Sequence, residues 1–295
     1  MLWAVFTVIA AAAQTARNAM QRELTATLGT VGATHVRFLF GFPFALVFLA
    51  GVLTVTHAPL PQPTLIYWPW IVLGLVAQIA ATALMLAAMN DRSFVVTIAY
   101  IKTEPVQVAL FGFVLLGDKV TMPVAIAILV ATAGVVVMSL KPGAAVSGGT
   151  RPTILGLVSG GMFGLSAIGY RGAILSLEAT NGFVTSATYT LVVGLVLQSI
   201  LLSAYLALRD PGVLKAIFRA WRPSVLAGFM GALASQFWFL GFAITSAANV
   251  RTLALVEVLF AQAISKFAFK QPTSKREALG IALVVAGVAL LVWAH

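Results

Sequence analysis

Apolar residues in this chain come in long unbroken runs, without the alternation of a half-buried strand or the one-sided stripe of a surface helix. About 18 apolar residues in a row are enough to cross a bilayer. Ten runs approach or exceed that length: 2–16, 38–55, 65–89, 93–116, 120–140, 153–170, 183–208, 224–244, 247–269 and 278–294. The first is short unless residues 17–20 extend it. Short turns separate the runs, so little chain remains for a soluble domain. The pattern predicts an all-α integral membrane protein with ten transmembrane helices.

The pattern also repeats. A shift of 153 residues superposes Ser93 on Ser246, Glu104 on Glu257, Ala125 on Ala278, Ile128 on Ile281, Ala133 on Ala286, Gly134 on Gly287 and Val135 on Val288. A linker is expected at 141–151, where Pro142, Gly143, Gly148 and Gly149 interrupt the apolar sequence. The expected units are therefore 1–146 and 147–295, five helices each. Five crossings bring the second unit in from the opposite face, so the repeats are inverted. That arrangement is common in transporters, with the solute site near the midplane between the units.

Composition supports the bilayer reading: 61% of residues are hydrophobic and 9% charged, with a mean hydropathy of +1.03. So few charges cannot cover a soluble surface. The net charge of +10 would suggest nucleic acid in a soluble protein, but here the basic residues lie between spans. Arg17, Arg22, Arg92, Lys141, Arg151, Arg209, Lys215, Arg219, Arg222, Lys266, Lys270, Lys275 and Arg276 fall on one side, against Lys119 and Arg171 on the other. The positive-inside rule then makes the first side cytoplasmic and leaves both termini outside. Membrane lipids, and no nucleic acid, are the expected macroscopic partners. A secretory signal at 2–16 is disfavoured because no basic residue precedes it. Residues 211–222 carry Val213, Leu214, Ile217, Phe218 and Trp221 at helical spacing with Lys215, Arg219 and Arg222 between, as expected of an amphipathic helix on the cytoplasmic membrane surface. Tyr67, Trp68 and Trp70 are expected in the opposite interfacial belt.

Candidate chemistry lies where polar side chains interrupt the spans. Arg37, Lys102, Glu104, Arg251 and Glu257 are charges inside apolar runs, and such charges face a cavity or a partner. Lys102 is placed to pair with Glu257, or Glu104 with Arg37 or Arg251; sequence leaves these open. A structural pair holding the halves together and a carboxylate that binds a proton or an ammonium are both compatible with it. Pro105 predicts a break beside Glu104. Gln14/Asn18, Gln78/Thr82 and Ser166/Tyr170 are i,i+4 pairs, each on one helical face. With Tyr100, Ser235 and Gln236 they provide amide, hydroxyl and phenol groups that would be costly against lipid. Phe163, Trp238, Phe239 and Met162 stand near them as core or as an apolar wall. Gly156, Gly160 and Gly164 form one smooth helix face, for packing within the chain or between copies. The sequence has no cysteine, and no phosphate-binding loop or metal-ligand spacing is visible, so no cofactor, metal or enzymatic chemistry is expected.

The segment from Ser93 through Tyr100, Lys102, Glu104 and Pro105 to Gly117-Asp118-Lys119, with its echo through Gly280 and Gly287, resembles the drug/metabolite transporter superfamily, EamA-type branch. Across the whole chain the pattern is most similar to YddG-type aromatic amino-acid exporters. Gly117-Asp118 stands where that family commonly has Gly-Glu, and Lys270-Gln271 in the second copy departs from it. The resemblance implies ten helices in two inverted five-helix repeats, and export of amino acids through a central cavity.

The leading expectation is a secondary exporter of aromatic amino acids and methionine, working by alternating access as a monomer in the bacterial inner membrane. Its substrate-binding set would be Gln14, Asn18, Gln78, Thr82, Tyr100, Phe163, Ser166, Tyr170, Gln236, Trp238 and Phe239. The substrate is expected to be a zwitterion in a site without strong net charge. Alternatives are a transporter of another small metabolite or drug, and a passive channel. A channel usually needs a polar ring along one axis. An intramembrane lipid enzyme would need paired acids or a metal triad.

Overall fold

The computed structural model describes residues 1–91, 97, 100–139, 151–259 and 274–294, and every regular element among them is helical. The first half holds α1 (Leu2–Leu39), α2 (Phe42–Thr56), α3 (Tyr67–Asp91), α4 (Glu104–Phe111) with a π-helical continuation Gly112–Leu116, and α5 (Met122–Ser139). The second holds α6 (Arg151–Asn181), α7 (Phe183–Arg209), the short α8 (Pro211–Arg219), α9 (Trp221–Ile244), α10 (Ala247–Leu253) with a 3-10 turn Ala254–Val256, and α11 (Lys275–Trp293). Residues 92–96, 98–99, 140–150, 260–273 and 295 lie outside the described residues, and with them the start of the expected fourth span (93–116), all but Arg151 of the expected linker (141–151) and the end of the expected ninth span (247–269).

Among the described residues, six helical stretches are long and apolar enough to cross a membrane, and Glu104–Leu116 and Met122–Met138 are shorter apolar helices. The first stretch, Leu2–Thr56, is too long for one crossing. It turns at Gly29, whose φ of 65° is open to glycine but strained for other residues. The first span therefore continues past residue 16 as far as the Gly29 turn, and the second begins near Thr30 rather than at residue 38. Hydropathy missed this because residues 17–37 are largely polar or small, and tertiary burial compensates: Arg17, Asn18, Gln21, Thr34, His35 and Arg37 are all buried.

The most extensive helix pairings are α3 with α6, α1 with α9, α5 with α11 and α2 with α7. Each joins a helix before residue 140 to one after 150, so the two halves interleave. Backbone approach makes this possible. A Cβ on Gly134 of α5 would stand 2.7 Å from the Gly280 carbonyl, and one on Gly287 of α11 2.6 Å from the Ala131 nitrogen. The face bearing Gly156, Gly160 and Gly164 packs within the chain, against Tyr100, Ile101, Val108 and Phe111.

Two expectations change. Tyr67 is fully buried against Tyr189, while Trp68 beside it is exposed. A position at the interface in sequence is thus a core position in space. The amphipathic α8, capped by the Asp210 carboxylate on the Val213 N–H, packs Ile217 and Val213 against α1 at Gly32. Only Phe218 and Trp221 of its apolar set remain exposed.

Candidate functional site

Two buried carboxylates, Glu104 and Glu257, sit at breaks in their helices. Lys102 and Thr103 form a turn, and α4 restarts at Glu104 with Pro105 in its first turn, where the missing N–H of proline costs no helical hydrogen bond. In the second half, α10 gives way to the 3-10 turn Ala254–Val256, and Glu257 follows directly. Lys102 ion-pairs with Glu257. Arg251 Nε lies 3.1 Å from Glu104 Oε1. Each pair crosses between the halves, and all four side chains are buried. Of the pairings open in the sequence, the structure has Lys102–Glu257 and Glu104–Arg251, and Arg37 has neither.

Around these pairs lie two small adjoining cavities. Each has room for about one water molecule. One is bordered by Gln14, Arg17, Asn18, Lys102, Glu104 and Phe163, with Met85, Ile101 and Arg251. The other is bordered by Gln14, Arg37, Gln78, Phe163, Ser166 and Tyr170, with Ala167, Ser235, Trp238, Phe239, Phe242 and Arg251. Gln14, Phe163 and Arg251 border both.

The lining is ordered by hydrogen bonds across helices. Trp238 donates its indole N–H to the Gln14 carbonyl at 3.0 Å, and the Arg251 guanidinium lies 4.4 Å over the Trp238 ring. Gln78 accepts from the Tyr170 hydroxyl and from the Gln198 amide, both at 3.0 Å. Tyr170 packs on Phe239 with ring centroids 4.4 Å apart. Arg37 donates to Thr82 at 3.2 Å and to Ser235 at 3.4 Å.

Nine of the eleven residues expected to bind substrate gather here, Thr82 through its bond to Arg37. Tyr100 and Gln236 are placed differently. Tyr100 packs on Gly156, and Gln236 donates to Thr188 of α7 at 2.8 Å, since adjacent residues on a helix point in different directions. Met162 packs in a neighbouring apolar cluster. Sequence reasoning placed Arg17 in a cytoplasmic loop, but it is fully buried and lines the site. Its signal was its spacing: Arg17 follows Gln14 by three residues and so shares its helical face. Gln198, inside an apolar run of α7, was also missed. A site without strong net charge is expected from the sequence. Four buried cations, Arg17, Arg37, Lys102 and Arg251, meet two buried carboxylates among the described side chains here.

Elsewhere in the bundle, Arg171 holds three elements together. It donates to the Phe242 and Thr245 carbonyls at the end of α9 and lies 3.4 Å from Asp118. Asp118 follows the π-helical turn, which Gly117 closes at a φ of 67°.

Apolar helices of bilayer length, closed round a charged and aromatic interior, have the build of a membrane transport protein. The EamA-like transporter family model matches residues 1–140 and 151–293, and the chain belongs to that family, a multi-pass membrane family of the drug/metabolite transporter superfamily. No curated protein matches the chain. A solved structure described only as "Crystal structure of protein" is similar in fold, with a TM-score of 0.69 at 17% identity over 98% of this chain and 96% of its own.

Proposed function

We propose that the protein is a secondary transporter that exports amino acids with aromatic or thioether side chains by alternating access. The observation that carries this reading is the interior itself: a polar and aromatic site lined from both halves of the chain. Phe163, Trp238 and Phe239 supply a wall for an apolar side chain, and amide, hydroxyl and guanidinium groups supply contacts for a polar head. The present cavities are too small for an amino acid, so the helices must part to admit one; Arg171 and Asp118 are a latch on the outer side.

Two five-helix inverted units, 1–146 and 147–295, fit the helix pairings. Under such a repeat, α1 with α9 and α3 with α6 exchange with one another, while α2 with α7 and α5 with α11 map onto themselves. The family match, which falls in two segments of similar length, supports the same reading. We place the protein in a bacterial inner membrane as a monomer with both termini periplasmic.

Flux into liposomes carrying the purified protein tests the function. Saturable uptake and counterflow of Phe, Tyr, Trp and Met are expected. Flux that rises linearly without counterflow would identify a passive channel, and transport of unrelated metabolites or drugs in place of these amino acids would overturn the substrate.

A further inference from the structure

Among the described residues, Arg17 and Arg37 are the two interior cations without a carboxylate partner. Arg17 lies before the Gly29 turn of α1 and Arg37 after it, and the reversal of the chain brings both onto α9. At Gly231 their stems pass together: a Cβ built there would stand 3.1 Å from Arg37 Cγ and 3.3 Å from Arg17 Cδ. Arg17 is wholly buried and Arg37 is 2% exposed. Arg17 donates to the side-chain carbonyl of Asn18 at 2.6 and 3.2 Å, and Arg37 only to hydroxyls. Arg17 Nη1 and Arg37 Nε are buried without a hydrogen-bond partner. Glu257, the other buried carboxylate among the described side chains, is engaged by Lys102.

A buried guanidinium left uncompensated is costly, and here two adjoin cavities that share Gln14, Phe163 and Arg251. We infer that Arg17 and Arg37 form a carboxylate clamp, and that the ligand it takes best is an organic acid with an aromatic side chain and net negative charge. The planar fork of a guanidinium matches a carboxylate through paired N–H donors. A substrate ammonium finds little in return. The Gln14, Gln78 and Asn18 side-chain carbonyls already accept hydrogen bonds. Glu104 Oε1 and Glu257 Oε2 accept none, but both carboxylates stand in ion pairs, and the four buried cations around them outnumber the two carboxylates among the described side chains and repel an ammonium. An amino acid therefore binds through its carboxylate, and its 2-oxo-acid counterpart binds more tightly. The inference rests on the transport reading only in calling this ligand a substrate.

Calorimetric titration of the purified protein with three probes of one shape tests it. Phenylpyruvate is expected to bind at least about tenfold more tightly than phenylalaninol, with phenylalanine between them. Equal affinities, or the reverse order, would overturn the clamp, as would phenyl phosphate binding more tightly than phenylpyruvate. R17Q and R37Q are each expected to weaken phenylpyruvate by about tenfold or more and not to weaken phenylalaninol. Unaltered phenylpyruvate affinity in both folded variants also overturns it, and if neither variant folds, the charge series on the unaltered protein decides. Liposome flux separates the two readings. Phenylpyruvate bound in the expected order but never transported defeats the transport reading and leaves the clamp. Phenylalaninol bound as tightly as phenylpyruvate and carried with saturation does the reverse.

Discussion

A charge in the interior of a bilayer persists only where a partner offsets the loss of water, and Lys102 and Glu257 do this for each other across the two halves. Removing one partner leaves the other buried and unpaired, at about 3–5 kcal/mol. Glu257→Gln should therefore lower the melting temperature of the purified protein clearly. Replacing both residues by methionine should recover most of the loss, because a buried pair exchanged for apolar groups is often close to neutral. A double variant as unstable as Glu257→Gln would mean that the pair's hydrogen bonding, not its charge balance, sets the stability. Gln78 tests the site itself. Its carbonyl orders Tyr170 and Gln198 together, so Gln78→Ala should reduce amino-acid flux severalfold while the protein still purifies as a folded species; unchanged flux would remove Gln78 from the site. That Glu104 and Glu257 are buried was legible from sequence, since both interrupt apolar runs. Which cation meets which anion was not, because a residue's position along a helix does not give its direction in space. Arg17 was hidden for another reason: it sits among polar neighbours, and polarity read as loop.

Helices here are specified as much by small residues as by apolar ones. Gly134, Gly280 and Gly287 are unremarkable in a hydropathy profile, yet they set how closely α5 and α11 approach. Without a hydrophobic force between helices in lipid, that approach and the dispersion contacts it permits hold the pair together. A Val at Gly134 would drive its side chain into the Gly280 carbonyl and the Val284 nitrogen, both 2.7 Å from a Cβ there. Overpacking of this kind typically costs about 1–3 kcal/mol, so Gly134→Val should lower thermal stability. Gly51→Ala should not, because a Cβ there meets nothing within 4 Å. Equal effects of the two would show that helix propensity, not packing, governs both sites. The same reasoning explains where span limits were readable. α7 and α9 end close to the expected boundaries because turn residues follow directly. The junction of the first and second spans, inside α1, was misread because a single glycine, Gly29, makes the turn, without the proline or polar cluster that usually marks one.

Seen whole, the molecule is a bundle in which the main helix pairings join the first half to the second, so its orientation in the membrane is set once for both. The basic residues argue for one orientation. Arg22, Arg209, Lys215, Arg219, Arg222 and Arg276 are all exposed on connections at one end of the bundle, and α8 lies at that end against the Gly29 turn. Moving Arg17 from that surface to the interior shortens the basic set by one residue and leaves its asymmetry intact. At the other end, Arg171 is spent on the Asp118 carboxylate and two carbonyls, so Lys119 is the remaining basic residue between spans there. By the positive-inside rule we propose that the α8 end faces the cytoplasm and Trp293 the outside. The sequence contains no cysteine, so a single introduced thiol reports its side of the membrane without interference. Ala294→Cys should react with a membrane-impermeant maleimide in intact cells whose outer barrier has been opened. Arg219→Cys should react only after the inner membrane is breached. The opposite pattern would invert the whole bundle, latch included: Arg171 and Asp118 would then close the cytoplasmic side, and the asymmetry of the basic connections would need a cause other than insertion.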